Sequence, residues 1–244
     1  MKSTRRHCSI IPLISFGVLS LLGVLRAAPA QTPAPKPQPA GSVTSQPSAA
    51  PVVPAKLQEI EANAEGIFDV APKDDWTAIS KHTSAIAKAW EAYRSQAATD
   101  RVPQKFQDAL AAALKRLEQA ETAKDKMGAL RASNQLMFAA FDIFETYRPA
   151  IPADIGRLDA RGQQLIINLI GNDLTAAGES LAQTKVIWAR LKPAVLARQG
   201  ADAAAKYEAS LQVQTEALAA KDGPRLKAGA QQGLDLVDVM EKLF

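Results

Sequence analysis

The residues of this chain that come nearest to site chemistry are two pairs of acidic side chains. Asp142 and Glu145 form one pair, and Asp238 and Glu241 form the other. Residues three apart share a helix face, and carboxylates on facing helices of a bundle can hold metal ions. Di-iron bundles of this kind also use Glu-x-x-His pairs, and the sequence has none. Both acidic pairs also lie beside apolar stripes, so we expect solvated helix faces rather than a metal site.

Histidine and cysteine are too scarce for most other site chemistries. Cys8 is the only cysteine of the chain, and His82 is the only histidine after the first 30 residues. A disulfide, a covalent haem attachment and a histidine-rich metal site are therefore not expected in the mature protein. No glycine-rich phosphate loop or His-Glu-x-x-His motif occurs either. The sequence predicts a non-catalytic protein without a cofactor.

Trp90, Trp188 and Asn134 are the remaining candidates for a site, in this case a ligand cleft. Both tryptophans lie on apolar helix faces, where we expect them to anchor a core; the alternative is an aromatic-lined cleft between the two halves of the chain. Asn134 lies within an apolar stripe, where an amide can set helix register or bind a ligand. Met137 and Met240 could serve as haem ligands, but methionine on such a face usually packs.

The elements that would position these residues are predicted to be helices. From Lys56 onward alanine is abundant, aromatic residues are few, and the alternation typical of strands is missing, so the fold class is all-α. A lead-in helix is predicted at about 55–66. Apolar residues then recur at spacings of three and four. The clearest stripe comprises Trp76, Ile79, Thr83, Ile86, Trp90 and Tyr93. We expect Pro193 to kink or end a later helix.

The two halves of the helical region resemble each other in sequence. A segment at 75–78 that precedes Trp90 is matched by a segment at 173–176 that precedes Trp188 at the same spacing. Ala123-Lys124-Asp125 similarly recurs as Ala220-Lys221-Asp222. A period of roughly 100 residues is too long for a solenoid unit and suits a small bundle. We therefore predict two related antiparallel helical bundles, at 55–149 and 150–244, which could pack as one domain.

The N-terminus has the pattern of an export signal at 1–30. Basic residues precede the apolar run 9–25, and Ala28-Pro29-Ala30 matches a small-x-small cleavage site. An uncleaved membrane anchor is the alternative, although the run is short for a bilayer span. Residues 31–54 are rich in proline and lack apolar periodicity, which predicts a stiff, disordered linker.

Charge excludes one class of partner. The chain has 29 basic and 25 acidic residues, but Lys2, Arg5, Arg6 and Arg26 fall in the signal, which has no acidic residue. The mature chain would therefore carry 25 residues of each sign. Nucleic acid and anionic membranes attract proteins with a basic excess, so we expect neither as a partner, and membrane attachment only through an uncleaved signal.

These observations predict a periplasmic or secreted protein. The favoured function is a non-catalytic helical interaction module of the cell envelope with a protein partner. The alternative is a periplasmic binding protein for a small apolar ligand, a metal or non-covalent haem.

Overall fold

The computed structural model of the protein describes residues 52–244, and these belong to one compact unit. The predicted signal and most of the predicted linker lie outside the described residues. The described part consists of α-helices and two short 3₁₀ helices and has no strand, which confirms the all-α prediction. The 3₁₀ helices are Ala71–Lys73 and Glu145–Tyr147. The α-helices are α1 (Ala55–Val70), α2 (Trp76–Thr99), α3 (Gln104–Ala123), α4 (Lys126–Phe144), α5 (Ala153–Ile170), α6 (Leu174–Ala197), α7 (Ala201–Ala219) and α8 (Gly223–Glu241).

Every second helix is preceded by an aspartate that caps its first turn. The side chains of Asp75, Asp125, Asp173 and Asp222 each accept a hydrogen bond from the backbone N–H three residues further on, at 2.9–3.0 Å. Such a cap satisfies one of the donors that a helix leaves unpaired in its first turn. Helices α1, α3 and α5 instead follow a proline, which has no N–H to satisfy. Local sequence chemistry therefore accounts for most of the helix starts.

Each of the seven connections between consecutive helices contains one non-glycine residue in the left-handed region, with φ between 46° and 61°. These residues are Asp74, Arg101, Lys124, Arg148, Asn172, Gln199 and Lys221. Glycine is the usual residue there because a Cβ atom makes this conformation unfavourable. Most of these turns therefore lack the sequence signal that normally marks the end of a helix.

The helices pack in the same order around two hydrophobic clusters. Helix α1 packs on α2 and α4, and α3 also packs on both; in the second half α5 packs on α6 and α8, and α7 also packs on both. The first cluster draws its residues from the part that precedes α5, together with Ala160 and Ile167 of α5. The second draws on α5 to α8, and Phe68 of α1 packs against both clusters. Helix α4 packs on α5 and joins the two circuits.

More of α4 is buried than the single apolar stripe in which the sequence places Asn134. Besides Leu130, Asn134, Met137 and Phe141, seven further residues of this helix are buried. The reason is that α4 contacts three helices, α1, α3 and α5, so most of its circumference faces protein. Alanine and serine occupy many of these extra positions, and their small side chains allow close helix packing.

Three predicted boundaries differ from the structure. The lead-in helix continues past 66 to Val70. The end of the predicted linker is packed, since Val53 is only 7% exposed and its carbonyl accepts a hydrogen bond from Gln58. Pro193 does not end α6, which continues to Ala197. Its ring lies on the exposed face, while Leu191 and Val195 are buried in the second cluster and hold the helix in place on either side of it.

Candidate functional site

The first acidic pair binds an arginine rather than standing open to a metal. Arg157 of α5 donates from one guanidinium nitrogen to Asp142 Oδ1 at 2.8 Å and to Glu145 Oε2 at 2.6 Å. Its other terminal nitrogen donates to Asp154 Oδ1 at 3.1 Å, and Arg190 of α6 makes two bonds to that same carboxylate. The side chain of Arg157 is only 13% exposed. The guanidinium thus occupies the place that a cation would take, and it clamps α5 to the end of α4.

Electrostatics favour this clamp. Burial lowers the pKa of Arg157, but the hydrogen bonds that it donates to Asp142 and Glu145 outweigh this effect and raise the pKa above its ordinary value. Arginine offers several donors in a planar fork, so one side chain can satisfy three carboxylates at once. The sequence pattern did not indicate a role for Arg157, because its three carboxylate partners lie in three different segments of the chain.

The second acidic pair meets other carboxylates instead. Glu241, as a residue, is exposed at the surface, yet its carboxyl group is mostly surrounded by protein. This desolvation, with Asp238 and Glu65 adding like charge, raises the pKa of Glu241 to about 7. Burial also raises the pKa of Glu61 in α1 well above its ordinary value, and Glu65, Asp159 and Glu241 add to the effect. Carboxylates of α1, α5 and α8 therefore approach one another where the two clusters meet.

This group of carboxylates does not have the arrangement of a metal centre. Among residues 52–244, no set of three or more histidine, cysteine or carboxylate side chains is placed so that it could hold a metal ion. Asp159 is 6% exposed and accepts a hydrogen bond from Gln163 at 2.7 Å. Sequence reasoning missed Glu61 and Asp159 because they lie in α1 and α5, far in sequence from Glu241 in α8, and only the tertiary fold brings Glu61 under the influence of the other two carboxylates.

Trp90 and Trp188 are core residues. They are 8% and 4% exposed, and they belong to different hydrophobic clusters, so they do not line a common cleft. Trp90 packs on Tyr93 with ring centroids 6.1 Å apart, and Trp188 packs on Tyr207 at 4.8 Å. Such aromatic pairs contribute to a core beyond the area that they bury.

Asn134 lies at the junction between α4 and α5. It is fully buried, and its Nδ2 donates to the backbone carbonyl of Ala160 at 2.8 Å. The regular helical hydrogen bond of that carbonyl lies within α5. The side-chain amide of Asn134 therefore adds a hydrogen bond that links α4 to α5. Its position corresponds to the register-setting role of a buried amide.

Three polar contacts of the first half were not predicted. Tyr147 donates to Asp100 Oδ2 at 2.6 Å, and the hydroxyls of Tyr147 and Tyr93 are 2.9 Å apart. Burial raises the pKa of both phenols above their ordinary value. His82 of α2 pairs through Nδ1 with Asn63 Oδ1 of α1 at 2.9 Å. These contacts tie helices together rather than assemble reactive groups.

Among residues 52–244, two surface depressions have a volume of about 390 Å³ each. The first is lined by Trp76, Thr77, Ser80, Lys81, Ser84 and Lys124. The second lies along α3 and α4 between Arg116 and Arg131. Both are open to solvent, unlike the enclosing pockets typical of drug-sized ligands.

Comparison of the chain with protein-family models, with curated proteins and with solved structures finds no match. In the part of the chain that the structure describes, every helix is too short or too polar to cross a membrane.

Proposed function

We propose that the protein is an exported, non-catalytic helical interaction module of the cell envelope, built from two related four-helix bundles and acting on a protein partner. The single observation that supports the proposal is that polar side chains form contacts between helices. The acidic pair at Asp142 and Glu145 holds Arg157, and Asn134 bonds across a helix pair. At these positions the polar side chains join helices to one another, as expected of a scaffold.

The internal duplication has support from helix lengths and caps. The helices have 16, 24, 20 and 19 residues in the first half and 18, 24, 19 and 19 in the second. Asp75 and Asp173 cap the second helix of each half, and Asp125 and Asp222 cap the fourth. The same helix pairs pack in each half. Chance would not easily produce agreement at all three levels.

Export has support only from the sequence, through the signal pattern at 1–30 and the proline-rich segment that follows it. A spacer of this composition would hold the helical part away from the membrane or wall, where a partner could reach it. The near-equal charge of the mature chain favours a protein partner over nucleic acid.

The alternative, a periplasmic binding protein for a small apolar ligand, metal or non-covalent haem, has less support. Its cleft would need Trp90 and Trp188 on a shared wall, whereas they are buried in separate clusters. Of the two acidic pairs that could hold its metal, Asp142 and Glu145 already bind Arg157.

Export and partner binding can be tested separately. The full chain, with a C-terminal tag, is expressed in an exporting host, and the N-terminal residue of the exported product is determined. We expect Gln31, and replacing Ala28 and Ala30 with bulky residues should block the cleavage. Product found only in the cytoplasm would contradict export.

The partner test uses the exported chain and the envelope fraction of the source organism. Chemical crosslinking followed by tag capture should enrich a defined envelope protein, and heat-unfolded chain provides the control. Enrichment that is equal with the unfolded chain, or release of a coloured or metal-containing species from the purified protein, would refute the interaction-module proposal.

A further inference from the structure

The outward face of α6 carries a row of apolar residues, which we name the α6 stripe. Its members recur at alternating spacings of four and three, and all are exposed: Ala182, Val186, Ala189, Pro193 and Leu196. Val186 is 60% exposed and Leu196 is 44% exposed, although both are large apolar residues. The spacing is that of the a and d positions of a coiled coil, and the stripe runs for about 20 Å along the helix.

The opposite face of α6 is also apolar, and the second core covers it. Leu181, Trp188, Leu191 and Val195 all belong to the second cluster. A helix at the surface of a protein normally has one apolar and one polar face, and a helix with apolar residues all round is normally buried. Helix α6 therefore has the character of a helix that packs against protein on both sides.

The fold itself does not need an apolar row at this place. Helix α2 has the same length and the same aspartate cap as α6, and Trp90 and Trp188 follow those caps at the same distance. At the positions of the α6 stripe, α2 has exposed residues that are polar or small, namely Ser84, Lys88, Glu91, Ser95 and Ala98. The matching helix of the first half thus folds with a polar outward face.

Positive charge borders the α6 stripe on both sides. Lys185 and Lys192 lie along one edge and Arg190 along the other, while 180–199 contains no acidic residue. Arg190 and Lys192 each pair with a carboxylate of a neighbouring helix, yet their side chains remain 58% and 38% exposed. Both have further donors, since a guanidinium has five N–H groups and an ammonium has three. The borders can therefore bind carboxylates of a partner.

These charges disfavour pairing of the α6 stripe with a second copy of itself. In a coiled coil, the residues that border the apolar seam face each other across the two helices. In a parallel pair Lys185 would face Arg190 of the second copy, and in an antiparallel pair the lysine edges of both copies would face each other. Like charges in such positions select against that pairing. A helix with acidic borders meets no such repulsion.

We propose that the α6 stripe is the docking surface for the protein partner, and that the partner presents an amphipathic helix whose apolar seam is bordered by aspartate or glutamate. Val186 and Leu196 pack into the seam of that helix, as in other helix-in-groove complexes. Lys185, Arg190 and Lys192 pair with its carboxylates and set its orientation. This inference rests on the proposed function, since it names the surface through which the interaction module acts.

Two synthetic peptides test it with the purified full chain. Both are helices of about three heptads with leucine at the a and d positions, and they differ only in carrying glutamate or lysine at every e and g position. Fluorescence polarisation of the labelled peptides should show saturable binding of the glutamate peptide, about tenfold tighter than that of the lysine peptide. Equal binding of both peptides, or no binding of the glutamate peptide, overturns the inference.

Variants connect the binding to the α6 stripe. Val186→Gln with Leu196→Gln should weaken binding of the glutamate peptide about tenfold or more, because it places amides in the seam. Ile170→Gln with Val239→Gln is the matched control, since these residues are 38% and 45% exposed outside the stripe, and it should leave binding unchanged. Lys185→Glu should shift the preference toward the lysine peptide. Circular dichroism verifies that each variant is folded, and equal affinities of the two double variants would contradict the proposal.

Two other occupants of the α6 stripe are outcomes of the same set of variants. Sedimentation that shows a dimer of the full chain, lost in Val186→Gln with Leu196→Gln, would assign the stripe to a second copy and overturn the inference. Binding to phosphatidylglycerol vesicles that is lost in the same variant would assign it to a membrane, with the same consequence. In the crosslinking experiment, equal capture by this variant and by the unchanged chain would overturn the docking surface and leave the interaction module standing.

Discussion

Gly156 of α5 lies against the ring of Phe141 in α4, and changing it to alanine should destabilise the junction that joins the two helix circuits. An alanine Cβ at this position would lie within 3.0 Å of three ring carbons of Phe141, a distance that real Cβ atoms essentially never show. Both residues are buried. The Phe141 ring is also in edge contact with Phe144, with centroids 5.4 Å apart, so it has little room to move away.

The expected magnitude follows from two opposing effects. Overpacking a well-filled core typically costs about 1–3 kcal/mol. Alanine is favoured over glycine inside a helix by up to about 1 kcal/mol, which offsets part of that cost. We therefore expect Gly156→Ala to lower the free energy of unfolding by about 1–2 kcal/mol. For a unit of this size each kcal/mol corresponds to a fall in Tm of about 2–4 °C.

Urea unfolding followed by circular dichroism measures the change, with Gly171→Ala as the matched control. Gly171 follows the last residue of α5 with φ of −78°, and a Cβ there would meet its nearest atoms at 3.4–3.6 Å, an ordinary contact. The control should be neutral or slightly stabilising. Equal unfolding free energies for the two variants would show that the α4–α5 junction yields freely, and the packing argument would be wrong.

A second variant shows whether the Phe141 ring itself is responsible. Phe141→Leu removes the ring that crowds the new methyl group, so Gly156→Ala should cost less in its presence. In a double-mutant cycle, residues in contact usually couple by about 0.5–3 kcal/mol. If the unfolding free energies of the two single variants simply add in the double variant, the Phe141 ring is not the source of the strain.

Three further predictions concern the cores, the carboxylates and α6. Trp90→Ala and Trp188→Ala should each cost roughly 3–5 kcal/mol in urea unfolding, whereas Trp76→Ala, at a partly exposed residue, should cost about 1 kcal/mol or less; comparable losses for all three would contradict the core assignment. Because the folded-state pKa of Glu241 is raised to about 7, the stability linked to it is fully present below its unfolded pKa of about 4.5 and is lost as pH rises to about 7. Tm should therefore fall between about pH 5 and pH 8, and Glu241→Gln should flatten that fall; an identical pH profile for the variant would argue against the raised pKa. Pro193→Ala should stabilise the protein by about 1–2 kcal/mol, since it restores a helical N–H and removes a clash, partly offset by greater freedom of the unfolded chain; a lower Tm for this variant would mean that the proline ring makes a contact that α6 needs.

Sequence periodicity anticipated the helices because its causes act within a few residues. Asp75 caps α2 through a backbone N–H three positions away, and the stripe from Ile79 to Tyr93 follows from the helical repeat. Pro193 does not end α6, since burial of Leu191 and Val195 in the second cluster outweighs the cost of a proline. Local chemistry also missed turns such as Lys124, where packing imposes a left-handed backbone on a residue that does not prefer it.

The candidate site shows where local chemistry stops being sufficient. By sequence alone, Asp142 with Glu145 and Asp238 with Glu241 are the same feature, an acidic pair on one helix face. In the folded chain, α5 brings Arg157 to the first pair, whereas α1 brings Glu65 to the second. The first pair becomes a clamp, and the pKa of Glu241 rises. The sequence determined that these residues share a helix face; the tertiary structure decided their chemistry, because a carboxylate responds to the charge and burial around it and those come from helices far away in the chain.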